Sequence, residues 1–394
     1  MSESELRVAV VASHPVQYQA PWFRALAERC DLHVFFAHRQ SAEDQARAGY
    51  GVAFDWDVDV LGGYAHSFLV NCAARPGVYE FRGCDTPGVG ERLTAGRFDV
   101  CIVCGWHVLS YWQTVWACRR RGIPVLVRGD SQLGTRRGAV KRAGKRALYP
   151  WMLRAFDGFL SPGQRHREYL RHYAVPDARI HRVPHFVDVE RFRRGAAAAD
   201  RAALRRDLGV DDGQRVVLFV GRLVAFKRPL DAIEAVARLG DEARGIVVAV
   251  AGAGPLADAM VKRADELGVR VAMLGFRNQA ELPGLYAAAD VLVLPSDANE
   301  TWGLVVNEAM ACGLPVVVSD AVGCAPDLVD DGATGYRYAC GSVAALAVAL
   351  GRALALADSP QRRATLAAKM AAHTPERAAQ GTLAALRAAR AGRG

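Results

Sequence analysis

The sequence predicts an α/β protein built from two doubly wound domains. Three observations lead there. The chain has 394 residues, more than one hydrophobic core usually serves, so two units of roughly 150 to 200 residues are expected. Short apolar runs alternate with longer amphipathic stretches, the pattern of a parallel sheet covered by helices. A charged, Ala-rich segment interrupts this alternation, which then resumes.

In the first half, LRVAVVAS, LHVFFAH, FDVCIVC, IPVLVRG and DGFLS have the length and apolarity of buried strands, and APWFRALAER reads as a helix. Residues 40–97, rich in Gly and aromatics, are expected to be loops with partial structure. After RIHRVPHFVDVERF comes RRGAAAADRAALRRDLGVDDGQ, which buries little by itself and marks the boundary. This divides the chain into a first domain at 1–195, a second at 196–375 and a terminal helix at 376–394. In the second domain QRVVLFVGRL, GIVVAVAGAG, VAMLGF, DVLVLPS and LPVVVSD read as strands, with helices at RPLDAIEAVARL, 255–267 and 282–289. Two such sheets facing each other bring the carboxyl ends of both strand sets to one cleft, where open α/β sheets bind ligands. Functional side chains are therefore expected on loops that follow strands.

Composition removes several function classes. With 51% hydrophobic and 23% charged residues, the chain is unlike a disordered one. The start, MSESELRVAVVASH, lacks the basic region and longer apolar run of a signal peptide, and no 18 apolar residues run unbroken. A cytoplasmic protein without a membrane span is expected. The nine cysteines read as small buried hydrophobes. Cys101 and Cys104 form a CxxC with no second pair at ligand spacing, so no metal is expected. A formal charge of +9 favours anionic partners such as sugar nucleotides, phospholipid surfaces or nucleic acid. Nucleic acid is disfavoured, because zinc spacing, ribonucleoprotein motifs and a convincing helix-turn-helix are missing. Gly252 and Gly254 of AGAGP lack the third glycine of a dinucleotide fingerprint and read as turn residues.

Two stretches carry the chemistry. In ANETWGLVVNEAMACGLPVVVSD a strand ends at Pro295 and Ser296, Glu300 lies in a loop, and a helix runs from near Trp302 to Gly313. The helix start presents backbone N–H groups of Trp302, Gly303 and Leu304 to phosphate or sugar oxygens. Glu300 and Glu308 then face one ligand at different depths. In LFVGRLVAFKRPLDAIEAV a strand ends at Gly221, and Arg222 and Lys227 flank the following loop. Two cations there can neutralise a diphosphate leaving group.

Together these residues resemble the retaining glycosyltransferases of family 4, which have the GT-B fold of two Rossmann-like domains around a cleft. The likeness rests on the E-x7-E pair Glu300 and Glu308 within GLVVNEAMACGLPVV, on GRL with Lys227, and on GFRNQAELPGLYAAADVLVLPS. VPHFVDVERF before the linker and APDLVDDGATGYRY after the pair add to it. The resemblance implies a metal-independent hexosyltransferase that needs no cofactor and keeps the donor's anomeric configuration. Its donor is a nucleotide diphosphate sugar and its acceptor a glycan or lipid-linked saccharide. It gives Arg222 and Lys227 the diphosphate, Glu308 the ribose, and Glu300 the donor sugar, with Thr301, Trp302, Gly303 and Leu304 beside them. Backbone near Phe276 and Arg277 lies against the base.

The amino-terminal half matches more loosely. SHPVQYQAPWFRALA stands where many relatives carry a Gly-rich loop, with His14 and Gln17 as replacements for its contacts. His107, after FDVCIVC, takes the place of a histidine near the anomeric carbon. Arg128 and Asp130, at the next strand end, are assigned with His14 and Gln17 to the acceptor side. Residues 136–156 combine seven basic residues with Tyr149, Trp151 and Phe156, suited to an anionic membrane surface or to a helix packed on the first sheet. The competing readings are a sugar-nucleotide epimerase on the same plan and a non-catalytic nucleotide-sugar binding protein.

Overall fold

The computed structural model describes residues 6–46, 52–135, 138–211, 213–356 and 359–392. The parts of the predicted segments that fall elsewhere, among them Arg136 and Arg137 of the basic stretch, lie outside the described residues.

The first sheet is built from β1 (Arg7–Ala12), β2 (Asp31–Phe36), β3 (Ala65–Phe68), β4 (Val100–Val103), β5 (Val125–Arg128), β6 (Gly158–Ser161) and β7 (Ile180–Arg182). Its helices are α1 (Ala20–Ala27), α2 (Ala42–Gln45), α3 (Val89–Gly96), α4 (Leu109–Arg120), α5 (Ala139–Met152) and α6 (Gln164–His172). Helices α7 (Val189–Ala198) and α8 (Arg201–Asp207) lead into the second sheet, made of β8 (Arg215–Val220), β9 (Ile246–Ala251), β10 (Arg270–Gly275), β11 (Val291–Leu294), β12 (Val316–Ser319) and β13 (Gly335–Tyr338). Around it lie α9 (Leu230–Ala237), α10 (Ala257–Leu267), α11 (Leu282–Ala288), α12 (Leu304–Ala311), α13 (Ala325–Leu328), α14 (Val343–Leu354) and α15 (Pro360–Met370), and α16 (Pro375–Ala391) ends the chain.

The strand orders are β3-β2-β1-β4-β5-β6-β7 and β10-β9-β8-β11-β12-β13. All pairings between these strands are parallel. These are the two doubly wound sheets the alternation predicts, and in each the order reverses beside the first strand, which opens a crevice at the carboxyl edge. Strands β3, β7 and β13, which the apolar runs do not reveal, all lie at sheet edges. An edge strand has fewer buried neighbours and so less need of the continuous apolar run that marks a central strand, although the edge strand β10 keeps one in VAMLG. In β3 the sequence AHSF leaves every side chain at least partly accessible.

The Ala-rich connection is helical. Helix α7 packs on α11 and α12, and its Phe192 is buried with Val216, Leu218, Tyr286 and Met310 in the second domain's core. Position 195/196 lies inside this helix. Helix α16 crosses to the first domain, where Ala378, Ala379, Leu383, Ala385 and Leu386 join Val8, Val10, Trp22 and Phe23 in one core. The indole of Trp22 donates to Thr382 Oγ1 at 3.2 Å in that interface, which satisfies a buried donor and fixes the helix's register.

Candidate active site

The second domain's wall of the cleft starts where β8 ends. A Cβ on Gly252 would sit 1.9 Å from the carbonyl oxygen of Gly221, so only glycine lets the loop after β9 pack against the loop after β8. That packing supports the loop carrying Arg222 and Lys227. The Lys227 ammonium makes an ion pair with Glu300 Oε2, both side chains being largely enclosed. Ser296 Oγ donates to the same oxygen at 3.2 Å, and Asp297 N–H donates to the Phe226 carbonyl at 2.8 Å. The guanidinium of Arg222 lies 5.9 Å from the Phe226 ring centre.

Helix α12 begins as expected just after this loop. Gly303 has φ of 93° and a Cβ there would meet Leu294 Cδ2 at 2.7 Å, so the chain turns into the helix only because the residue is glycine. The side chain of Trp302 is buried, donating to Asn307 Oδ1 at 2.8 Å. Glu308 is completely buried, so it is not a solvated helix carboxylate. Tyr286 O–H donates to its Oε2 at 2.6 Å. Burial pushes the Glu308 carboxyl up from its ordinary range, against the pull of Tyr286, Arg191, Gln279 and Tyr18. Tyr18 belongs to the first domain, so both halves meet around this carboxylate.

The first domain contributes two loops to the opposite wall. Gln132 Nε2 crosses the cleft and donates to the carbonyls of Ala298 and Glu300, both at 2.9 Å. Thr301 Oγ1 returns the contact by donating to Asp130 Oδ2 at 2.7 Å. Burial alone would raise the Asp130 carboxyl, but His185 and Thr301 bind its charged form and hold it below the usual carboxylate range. His14 and His107 line one hollow with Ser13, Val78, Tyr79 and Tyr111. Burial, assisted by His38 and His107, lowers the His14 imidazole to about 4. His107 is also lowered by burial, with Asp130 and the Val78 carbonyl opposing. Both rings are thus kept neutral at physiological pH.

The structure separates some residues that the sequence grouped. Gln17 faces a second hollow, with Tyr18, Asp188, Arg191 and Gln279, on the Glu308 side of the cleft and away from His14. Arg128 is corrected to an interior position. Its guanidinium lies 4.7 Å from the Trp22 ring centre and 5.3 Å from that of Phe186, within 3.4 Å of His185 Nδ1, and burial lowers it to about 10. It supports His185 and Asp130 from behind and does not line the cleft. Phe276 stacks on Phe54 with ring centres 4.2 Å apart, while Arg277 pairs with Glu281 at 2.8 Å. Asn278 Nδ2 donates to the Asp55 carbonyl at 2.8 Å and Ala280 N–H to Asp57 Oδ2 at 3.0 Å. A strap from the irregular region therefore crosses onto the expected base-binding loop.

Gln132, His185 and Tyr286 escaped the sequence reading. Gln132 lies two residues beyond Asp130 in RGDSQL and His185 within VPHF, so strand-end position was an available signal for both. Tyr286 sits inside a helix, and nothing local ties it to Glu308. Among the described residues, no helix is long and apolar enough to cross a membrane.

Comparison with known proteins accounts for both halves. Residues 200–370 match the family model described as glycosyl transferases group 1, and residues 22–191 match glycosyltransferase family 4. The D-inositol 3-phosphate glycosyltransferase of Mycobacterium tuberculosis is 38% identical over 205 residues, which make up 50% of this chain and 40% of that protein. The chain thus spans well under two thirds of the length of the curated relatives it matches. Among solved structures, Anabaena Alr3699/HepE in complex with UDP superimposes with a TM-score of 0.72 at 18% identity, covering 97% of this chain and 100% of that one. A glycosyltransferase from Rickettsia africae gives 0.71 at 10% identity, with 98% of each chain covered. The fold is that of the GT-B glycosyltransferase structures, and the two glycosyltransferase family models match separate parts of the chain.

Proposed function

We propose that this chain is a retaining glycosyltransferase that moves a hexose from a nucleotide diphosphate sugar to a glycan or lipid-linked saccharide. The observation that carries the reading is the meeting of Lys227 and Glu300 with Gln132, Asp130 and Thr301 at the carboxyl edges of two parallel sheets. Cations on one wall and neutral imidazoles on the other suit a diphosphate leaving group facing an uncharged nucleophile.

In this mechanism Arg222 and Lys227 bind the donor diphosphate and stabilise the charge that grows as the bond from C1 to the phosphate oxygen breaks. Glu300 releases Lys227 to the diphosphate and accepts hydroxyls of the donor sugar. Glu308 accepts from the ribose once the Tyr18 side of the cleft parts from it, and Phe276 and Arg277 border the base. The acceptor oxygen forms the new bond to C1 on the face the diphosphate leaves. Its proton passes to the departing phosphate oxygen. The His107 ring or its neighbouring carbonyl faces the positive character that develops at C1. No metal or cofactor takes part, and closure of the two domains precedes transfer.

The same reading places the protein on the cytoplasmic face of a membrane. Helix α5 contributes no fully buried residue, and it rests on the first domain's core through Tyr149 and Met152 near its end. It exposes Val140, Leu148 and Trp151, and Trp116 of α4 is exposed as well. With Lys141, Arg142, Lys145 and Arg146 alongside, this surface suits anionic lipid. Salt-sensitive flotation with anionic liposomes is expected, and flotation that fails at low salt removes the membrane contact.

The test of the transferase is calorimetric titration of chelator-treated protein with UDP, GDP, ADP and dTDP sugars. One donor is expected to bind and to be weakened by both Glu308→Ala and Arg222→Ala. Silence across the panel, with both variants indistinguishable from wild type, sinks the reading.

A further inference from the structure

Beside the His14 and His107 hollow lies a second one that no role yet uses. It is lined by His38, Gln40, Asp44, Arg75, Gly77, Val78, Tyr79 and Glu80, and it shares Val78 and Tyr79 with the first. Adjacent strands create the junction. Ala12 and Phe36 are register partners at the ends of β1 and β2, and His38 N–H donates to the Ser13 carbonyl at 2.8 Å. The two histidines that follow these strands therefore stand at one edge.

The carboxylate and the loop at this hollow are held in place. Ser41 and Asp44 cap α2 reciprocally, Asp44 N–H donating to Ser41 Oγ at 3.2 Å and Ser41 N–H to Asp44 Oδ2 at 3.0 Å. His38 Nε2 lies 3.6 Å from that carboxylate oxygen, beyond hydrogen-bond length, and is shielded from solvent. Tyr79 projects from a loop closed by Gly77 N–H donating to the Gly83 carbonyl at 2.9 Å. Gly83 has no room for a side chain, since its Cβ would fall 2.3 Å from the Gly77 oxygen. The ring of Tyr79 is 66% exposed yet feels the Arg222 charge from the second domain. Tyr79 stands between the His14 and His107 hollow and the new one, lining both.

We propose that this trough is the acceptor site and that the acceptor end it holds is an uncharged saccharide, stacked on Tyr79 with hydroxyls bound by Asp44, His38 and Gln40. This rests on the transferase reading above. A sugar ring offers a C–H face to an aromatic ring and hydroxyls that donate to a carboxylate and exchange bonds with imidazole and amide. Charge disfavours the alternative of a phosphorylated or acidic acceptor end, because even with Arg222 near Tyr79 counted the trough has no surplus of positive charge. Two carboxylates, Asp44 and Glu80, face one guanidinium, Arg75, and the neighbouring His14 is neutral at physiological pH. A phosphate of nearly two negative charges calls for the reverse balance.

The experiment uses labelled full-length protein on a glycan array of uncharged, phosphorylated, sulfated and carboxylated saccharides, with the nucleotide diphosphate identified by the donor titration present throughout. Binding to a subset of uncharged glycans is expected, falling about tenfold in Tyr79→Ala and several-fold in Asp44→Asn. Donor affinity, measured on the same samples, should move less than threefold. Selective binding of charged glycans, binding to none while the donor still binds, or uncharged-glycan binding indifferent to both substitutions each overturns the acceptor assignment. Loss of donor binding by the wild-type protein would instead sink the transferase reading.

Discussion

Two pairs of side chains across the cleft treat charge in opposite ways, although Asp130 of the first domain is held charged and Glu308 of the second is pushed toward its neutral form. On the donor wall Lys227 and Glu300 meet as opposite charges, whereas on the acceptor wall burial keeps His14 and His107 uncharged. The contrast follows from the chemistry each wall is proposed to meet. A diphosphate needs fixed positive charge, and an occupied ion pair keeps that charge oriented until the ligand arrives. A hydroxyl nucleophile needs polar groups without net charge, and buried imidazoles supply them. The lesson is that a loop of charged residues and a loop of histidines, equally polar as sequence, become different environments once burial is fixed.

The largest expected effect tests the charged wall. Arg222→Ala or Lys227→Ala should lower turnover about 100- to 1,000-fold, measured from initial rates with the identified donor. His14→Ala should cost far less, and an equal loss would erase the contrast. Next, Arg128→Met should lower unfolding free energy by about 2 to 4 kcal/mol, read by urea denaturation, with the acceptor KM unchanged. A raised KM at unaltered stability would return Arg128 to the acceptor surface.

Glu308→Gln should weaken donor binding about tenfold, the loss of one charge-assisted hydrogen bond. Because burial raises the wild-type carboxyl, it takes up a proton at a pH above the ordinary range. Donor affinity should therefore fall on acidification sooner than an ordinary carboxylate would predict, and the Gln variant should lack that step. Identical profiles would show that Glu308 does not bind donor through its charge.

The neutral wall has its own signature. His14, His166 and His373 are each lowered from 6.5 to about 4, chiefly by burial. The unfolded chain takes up protons below about pH 6.5 that the folded chain refuses until about pH 4. Their contribution to stability is full above the unfolded value and is lost as pH falls through that window. Denaturation midpoints should drop from pH 6.5 to 4, less steeply in His166→Gln. The smallest effect is expected from Phe54→Ala, which removes the strap's ring contacts with Phe276 and Trp56 and should change donor KM only a few-fold.

Much of this was legible in the residues. Apolar runs revealed the central strands of both sheets because such strands are buried on two faces, and edge strands β3, β7 and β13 lacked that mark. Glu300, Lys227 and Gly303 stood out because a loop between a strand end and a helix start constrains residue type locally. Arg128 was misplaced since strand-end position suggests a cleft, while stacking between Trp22 and Phe186 depends on residues over 50 positions away.

The sequence by itself determined two parallel sheets and the placement of the Lys227 and Glu300 loops between strand ends and helix starts, because alternation, glycine placement and capping are short-range properties. Tertiary structure alone decided which side chains meet. Gln132 with the Glu300 loop, Tyr286 with Glu308, and Phe54 with Phe276 are pairings between distant segments. It also decided charge state, since the neutrality of His14 depends on how completely the packed chain removes it from water.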